Sequence, residues 1–164
     1  MTQSLTKMEE HHRFMRRAIQ RAREGVRSGQ TPFGACIVRK GRVVSCEHNG
    51  VWEGTDITAH AEICAIRRAC RTLRTIDLSE CAIYSTCEPC PMCFSACHWA
   101  RIPVIYFGAR IRDAQKIGFN ELPVSNRQMK KLGGSRVKIV PNVLRQENLR
   151  LFQEWHSLAK KRGY

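Results

Sequence analysis

A chain of 164 residues with 43% hydrophobic content suits one globular domain with a sizeable buried core. No apolar run approaches a membrane span, and the polar first ten residues lack the core of a secretion signal, so a cytoplasmic protein without a membrane partner is expected. The formal charge of +14 would suit a polyanion such as RNA, but charge alone does not select a partner, and a solvated basic surface is the simpler expectation.

Residues 8–27 carry Met15, Ile19, Ala22 and Val26 on one helical stripe, with Arg13, Arg16, Arg17 and Arg23 around it. Runs 33–38 and 42–46 read as strands joined by a tight turn at Lys40-Gly41, and Asn49-Gly50 opens an irregular loop. A second helix is expected over 60–73, with Thr58 as its N-cap and Ile63, Ile66, Cys70 and Leu73 as its buried stripe. Residues 81–86 form a short buried strand. Pro91 suits the first turn of a helix running to about residue 100, because its missing N–H has no partner there in any helix. A strand over 103–107 completes a right-handed βαβ unit. A short helix at 111–117, a fifth strand at 136–140 and a last helix at 146–161, with Leu149, Phe152, Trp155 and Ala159 on its stripe, finish the chain. The expected fold is α/β, a three-layer α/β/α sandwich around a five-stranded mixed sheet.

Nine cysteines in a reducing compartment are not expected to form disulfides, and their clustering at 87–97 suggests a metal instead. Cys90 and Cys93 fall three apart at a helix start, where the thiols point the same way and the helix dipole favours thiolates. His60 joins them if it sits at the very start of its helix. Two thiolates and one imidazole leave zinc an open fourth position, the arrangement of a catalytic rather than a structural site. Glu62 then faces the activated water without ligating the metal and moves protons, and the Ala61 N–H, also at a helix start, helps hold the adduct. Glu88 reads as an N-cap-region carboxylate.

A rival exists in the same cysteines. Cys87, Cys90, Cys93 and Cys97 match the spacing of an iron–sulfur cluster run. His98 stands where that run wants proline, and the rival leaves His60-Ala61-Glu62 unexplained. A purely structural zinc site is a second rival. Cys36, Cys46, Cys64, Cys70, Cys81 and Cys97 are expected to act as small core hydrophobes.

His60-Ala61-Glu62, followed after 26 residues by Pro89-Cys90-Pro91-Met92-Cys93, carries the His-x-Glu and Pro-Cys-x-x-Cys signature of zinc nucleobase deaminases. With Pro32 to Ala35, Asn49 and Glu88, the chain resembles the cytidine-deaminase-like superfamily over nearly its whole length. The resemblance implies one Zn2+ per subunit and hydrolytic deamination. Two branches compete. Pro32-Phe33-Gly34-Ala35, Trp99-Ala100-Arg101, Ile117-Gly118-Phe119-Asn120-Glu121, and Phe152, Trp155 and Tyr164 resemble the bacterial guanine deaminases. Asn120 departs from that branch's acidic pair. Phe107-Gly108-Ala109-Arg110 looks more like the tRNA adenosine deaminases.

The guanine branch implies a free purine base as substrate, and a homodimer whose C-terminal segment, about 145–164 here, is exchanged between subunits. Glu121 is then the carboxylate for guanine's N–H donors, and Asn49 donates and accepts at a purine edge. Phe33 or Trp99 stacks on the ring and Tyr164 closes the pocket. Guanine to xanthine plus ammonia is the expected reaction. Deamination of tRNA adenosine, with tRNA as partner, is the alternative.

Overall fold

The computed structural model describes residues 6–164. A five-stranded sheet runs in the order β2-β1-β3-β4-β5, with β1 Gly34–Arg39, β2 Arg42–His48, β3 Cys81–Cys87, β4 Val104–Ala109 and β5 Lys138–Val140. β1 is antiparallel to both β2 and β3, whereas β3, β4 and β5 are parallel. The helices are α1 Lys7–Arg27, α2 Val51–Gly54, α3 Ala61–Leu73, α4 Pro91–Trp99, α5 Ile111–Lys116, α6 Asn126–Gly133 and α7 Arg145–His156.

The two faces of the sheet follow from strand alternation. Ala35 and Ile37 of β1 pack with Ala61, Ala65 and Ala69 of α3 and Phe94 of α4. Cys36 and Val38, pointing the other way, pack with Phe14, Met15 and Ala18 of α1 and Leu151 of α7. This is the expected three-layer sandwich. Small residues set the spacing: a methyl at Gly34 would overlap the Ala18 carbonyl, and one at Gly108 would overlap the Asn148 amide.

Four local expectations need correction. Thr58 is not a cap: its N–H and hydroxyl bond to the Asp56 carboxylate at 2.8 and 2.6 Å, and His60 takes the N-cap position. The last helix stops at His156, so Ala159 is exposed and lies outside it. Helix α6 was not expected, because its surface is mostly polar. Its readable signal is the reciprocal capping box of Ser125 and Gln128. Finally, Cys36 and Cys46 are joined as a disulfide. They stand directly opposite one another in the β1–β2 register, which places two residues ten apart within bonding reach.

Candidate active site

The site lies at the carboxyl ends of β3 and β4, where the starts of α3 and α4 meet. Glu88 N donates to Ala109 O at 2.8 Å and ties those two strand ends together. His60 is the N-cap of α3 and Cys90 the N-cap of α4, both with extended backbone (φ −62°, ψ 153° and φ −63°, ψ 168°). Neither side chain makes a capping hydrogen bond. A capping oxygen at such a position is worth about 1 kcal/mol, so both helices forgo that stabilisation and turn the side chain to the site. Pro91 occupies the first turn of α4.

The His60 Nδ1 lies 3.6 Å from both the Cys90 and the Cys93 sulfur. The three ligand atoms fall within 4.8 Å of one another, a set that fits a tetrahedral ion with one position left for water. Cys93 donating to its sulfur, with His60 beside it, holds the Cys90 thiol down at about 4 despite burial. The same bond, with burial, pushes Cys93 well up. At His60 burial acts to lower the pKa, but Cys90 and Glu62 outweigh it and the pKa is raised. Cys87 lines the inner chamber beside these residues and Cys97 is buried in the core, but neither belongs to the group of ligand atoms, so the four-cysteine cluster is not assembled; burial raises both thiols.

Glu62 is the second residue of α3 and is buried. Its Oε1 accepts from the Ser85 hydroxyl at 3.0 Å, and its Oε2 lies 3.5 Å from the Cys93 sulfur. Burial raises its pKa. Because His60 lies just outside the helix, the two-residue spacing no longer sends the side chains apart. Ala61 opens α3, so its N–H belongs to the first-turn donors without an intrahelical partner.

Over this cluster opens a pocket of about 310 Å³, lined by Ile57, His60, Cys90, Met92, Glu121, Leu122 and Tyr164 among others. A smaller inner chamber adds Phe33, Glu62 and Glu88. Glu121 faces both, and burial, reinforced by Cys90, pushes it up to about 7. Phe33 reaches the chamber while its ring packs edge-on to Phe119 and Phe152, so it serves core and pocket together. Asn49 is buried: Val51 N donates to its Oδ1 at 3.1 Å, and its Nδ2 donates to the Tyr164 hydroxyl at 2.6 Å. Tyr164 stands 5.6 Å from the His60 ring and 5.5 Å from Phe119. Asn120 N donates to Tyr164 O, and Trp52 Nε1 donates to Arg162 O, so the tail lies over the pocket of its own chain.

Trp99 is the exception. It ends α4, about 13 Å along the axis from the metal-binding start, and is 83% exposed. It does not line this chain's pocket. Glu88 is neither ligand nor proton carrier: it accepts from Asn126 N at 2.9 Å and Ile111 N at 3.5 Å, holding the starts of α6 and α5. Ser85 and Asn126, whose amide donates to Pro89 O at 2.5 Å, went unread in the sequence. A lone serine in a strand and a lone asparagine after a loop carry no pattern.

Residues 8–109 match the cytidine and deoxycytidylate deaminase zinc-binding region. The chain belongs to this deaminase family. It is 39% identical over 155 residues to the guanine deaminase of Bacillus subtilis (strain 168), covering 94% of this chain and 99% of that one. The solved structure of that enzyme matches with a TM-score of 0.65 at 38% identity, over 94% and 98% of the two chains. The guanine deaminase from Nitrosomonas europaea matches with a TM-score of 0.83 at 28% identity, over 90% and 85%. The tRNA-specific adenosine deaminase of Aquifex aeolicus (strain VF5) is 44% identical over 96 residues, 58% of this chain and 64% of that one. This deaminase is a zinc-dependent hydrolytic enzyme of the α/β class, with His60, Cys90 and Cys93 positioned for the metal. Among its described residues, no helix is long and apolar enough to cross a membrane.

Proposed function

We propose that the deaminase hydrolyses free guanine to xanthine and ammonia. The observation that carries this reading is Glu121, a half-buried carboxylate facing the same pocket as His60 and Cys90. Guanine presents N1–H and its 2-amino group side by side, and one carboxylate can accept from both. The likeness to the Bacillus guanine deaminase spans 155 residues and so includes Glu121.

Zinc, when bound, supplies a Lewis acid that activates water at neutral pH. The chain's own residues do the rest. Glu62 takes a proton from the water at its free oxygen, while Ser85 holds the other. It delivers that proton to the ring nitrogen, then carries the proton of the newly added hydroxyl to the departing amino group. Water supplies the oxygen of the new carbonyl, and ammonia leaves. The Ala61 N–H supports the developing negative charge from the start of α3. Asn49 addresses the purine edge and Phe33 the ring face.

The protein acts in the cytoplasm as a homodimer in which each C-terminal segment covers the pocket of its own chain, as Tyr164 does here. Support comes from α4, whose outward positions Met92, Ser95, Ala96 and Trp99 are apolar or small. Light scattering of wild type and Trp99→Ser checks the dimer.

The decisive experiment incubates zinc-loaded protein with free guanine and, separately, with tRNA. Ammonia and xanthine from guanine support the reading. Inosine in tRNA with guanine untouched transfers the protein to the other branch.

A further inference from the structure

A second concavity, of about 350 Å³, opens beside the catalytic pocket on the α5–α6 side. Its apolar lining includes Phe107, Ile111 and Ile139. Arg110, Arg112 and Arg127 stand around it, all exposed. Elsewhere Arg13, Arg16, Arg21, Arg23, Arg39, Arg67, Arg101 and Arg145 each have a carboxylate within 4.0 Å. Among the described residues, no ion pair involves Arg110, Arg112 or Arg127. The stretch from Arg110 to Lys138 is itself strongly basic, with eight basic residues and two acids. One of those acids, Asp113, is taken by Arg145, and the other, Glu121, faces the catalytic pocket. The remaining carboxylate in the wall, Glu88, is buried and committed to the Ile111 and Asn126 N–H groups.

Unpaired guanidinium groups around an apolar hollow select an anion with a flat or apolar body. Guanidinium groups bind phosphate through paired, charge-assisted hydrogen bonds. The volume lies in the range of a small-molecule site, and a single hollow suits one nucleotide better than the extended track a nucleic-acid strand requires. We propose that this cavity binds a nucleoside 5′-monophosphate, with the phosphate on Arg110, Arg112 and Arg127 and the base and sugar against Phe107, Ile111 and Ile139. Glu88 lines both this cavity and the inner catalytic chamber, so the bound nucleotide sits one side chain from the deamination site. The assignment is independent of which base the catalytic pocket accepts.

The test is calorimetric titration of the zinc-loaded full chain and of Arg112→Ala/Arg127→Ala. The probes are uridine 5′-monophosphate, whose base has no amino group to deaminate, uridine, inorganic phosphate and a 12-nucleotide single-stranded RNA. The nucleotide is expected to bind one per chain, at least tenfold more tightly than uridine or phosphate alone, and to weaken as salt rises. The double variant should lose at least tenfold in nucleotide affinity while keeping its melting temperature and guanine turnover. Equal affinity of wild type and variant overturns the proposal. So does nucleotide binding no tighter than phosphate, or an arginine-dependent site that takes only the RNA.

Discussion

Ser85 donates to Oε1 of Glu62 at 3.0 Å and leaves Oε2 on the side of Cys93. One carboxylate oxygen is anchored and the other is the one available to move a proton. Glu62→Ala should therefore retain one zinc per chain, measured by metal analysis, and lose at least about 100-fold in kcat. Ser85→Ala leaves the carboxylate in place but unanchored. It should lose less than Glu62→Ala, in kcat more than in KM.

Glu121→Gln replaces one acceptor oxygen with a donor where guanine presents two N–H groups. The kcat/KM for guanine should fall about 100-fold, the scale of a lost charge-assisted hydrogen bond plus a donor facing a donor. Because the carboxylate is half-buried and pushed up to about 7, its removal should not lower the melting temperature. Guanine turnover equal to wild type would remove Glu121 from the site.

Zinc ties the start of α3 to the start of α4. Chelation should lower the melting temperature, since a ligand that binds only the folded state stabilises it by mass action. The Cys90 thiol, half-buried, should then alkylate, identified by peptide mass, while the zinc-loaded protein resists. An unchanged melting temperature with Cys90 equally reactive in both forms would contradict the metal set.

Asp113 and Arg145 form a two-bond ion pair at 2.7 and 3.0 Å that clamps α5 to α7. Burial acts to raise the Asp113 pKa, but the Arg145 guanidinium and the Arg110 N–H outweigh it, and the net shift is downward. A carboxyl depressed in the folded state stabilises above its ordinary value near 3.8, and that contribution is lost as pH falls through its folded value. Arg145→Met should cost about 1–3 kcal/mol in urea denaturation at pH 7, because it leaves a largely buried carboxylate unpaired. The gap to wild type should close as pH falls below the ordinary aspartate range.

Gly34→Ala should destabilise by more than about 2 kcal/mol, since the new methyl meets the Ala18 carbonyl and not a yielding side chain. Thermal melts measure it. A change under 0.5 kcal/mol would mean that α1 is free to shift on the sheet.

Periodicity and spacing made the sandwich legible, because both are local. The helix of Met15 and Ile19, the turn at Lys40-Gly41 and the proline at the start of α4 are each set by neighbours in sequence. The three metal-binding side chains were legible for a different reason, their type and spacing forming a motif. What escaped depends on contacts across the chain. Cys36 and Cys46 meet only through strand register, and Glu88 reaches helix starts 23 and 38 residues away. Trp99 looked like a ring for the pocket because it shares a helix with Cys93. Helix length decides otherwise: two turns carry it to the far end.

The Asn49 amide is fixed at both ends. Val51 N–H claims its oxygen, so the nitrogen is what it offers to the hydroxyl of Tyr164. The amide cannot turn over without setting N–H against N–H. Any atom of a base that takes the place of that hydroxyl must therefore bring a lone pair. Were a base to reach that point, the Asn49 nitrogen would favour a bare ring nitrogen or a carbonyl over a protonated nitrogen, and tautomers of one base with equal outlines would be told apart there.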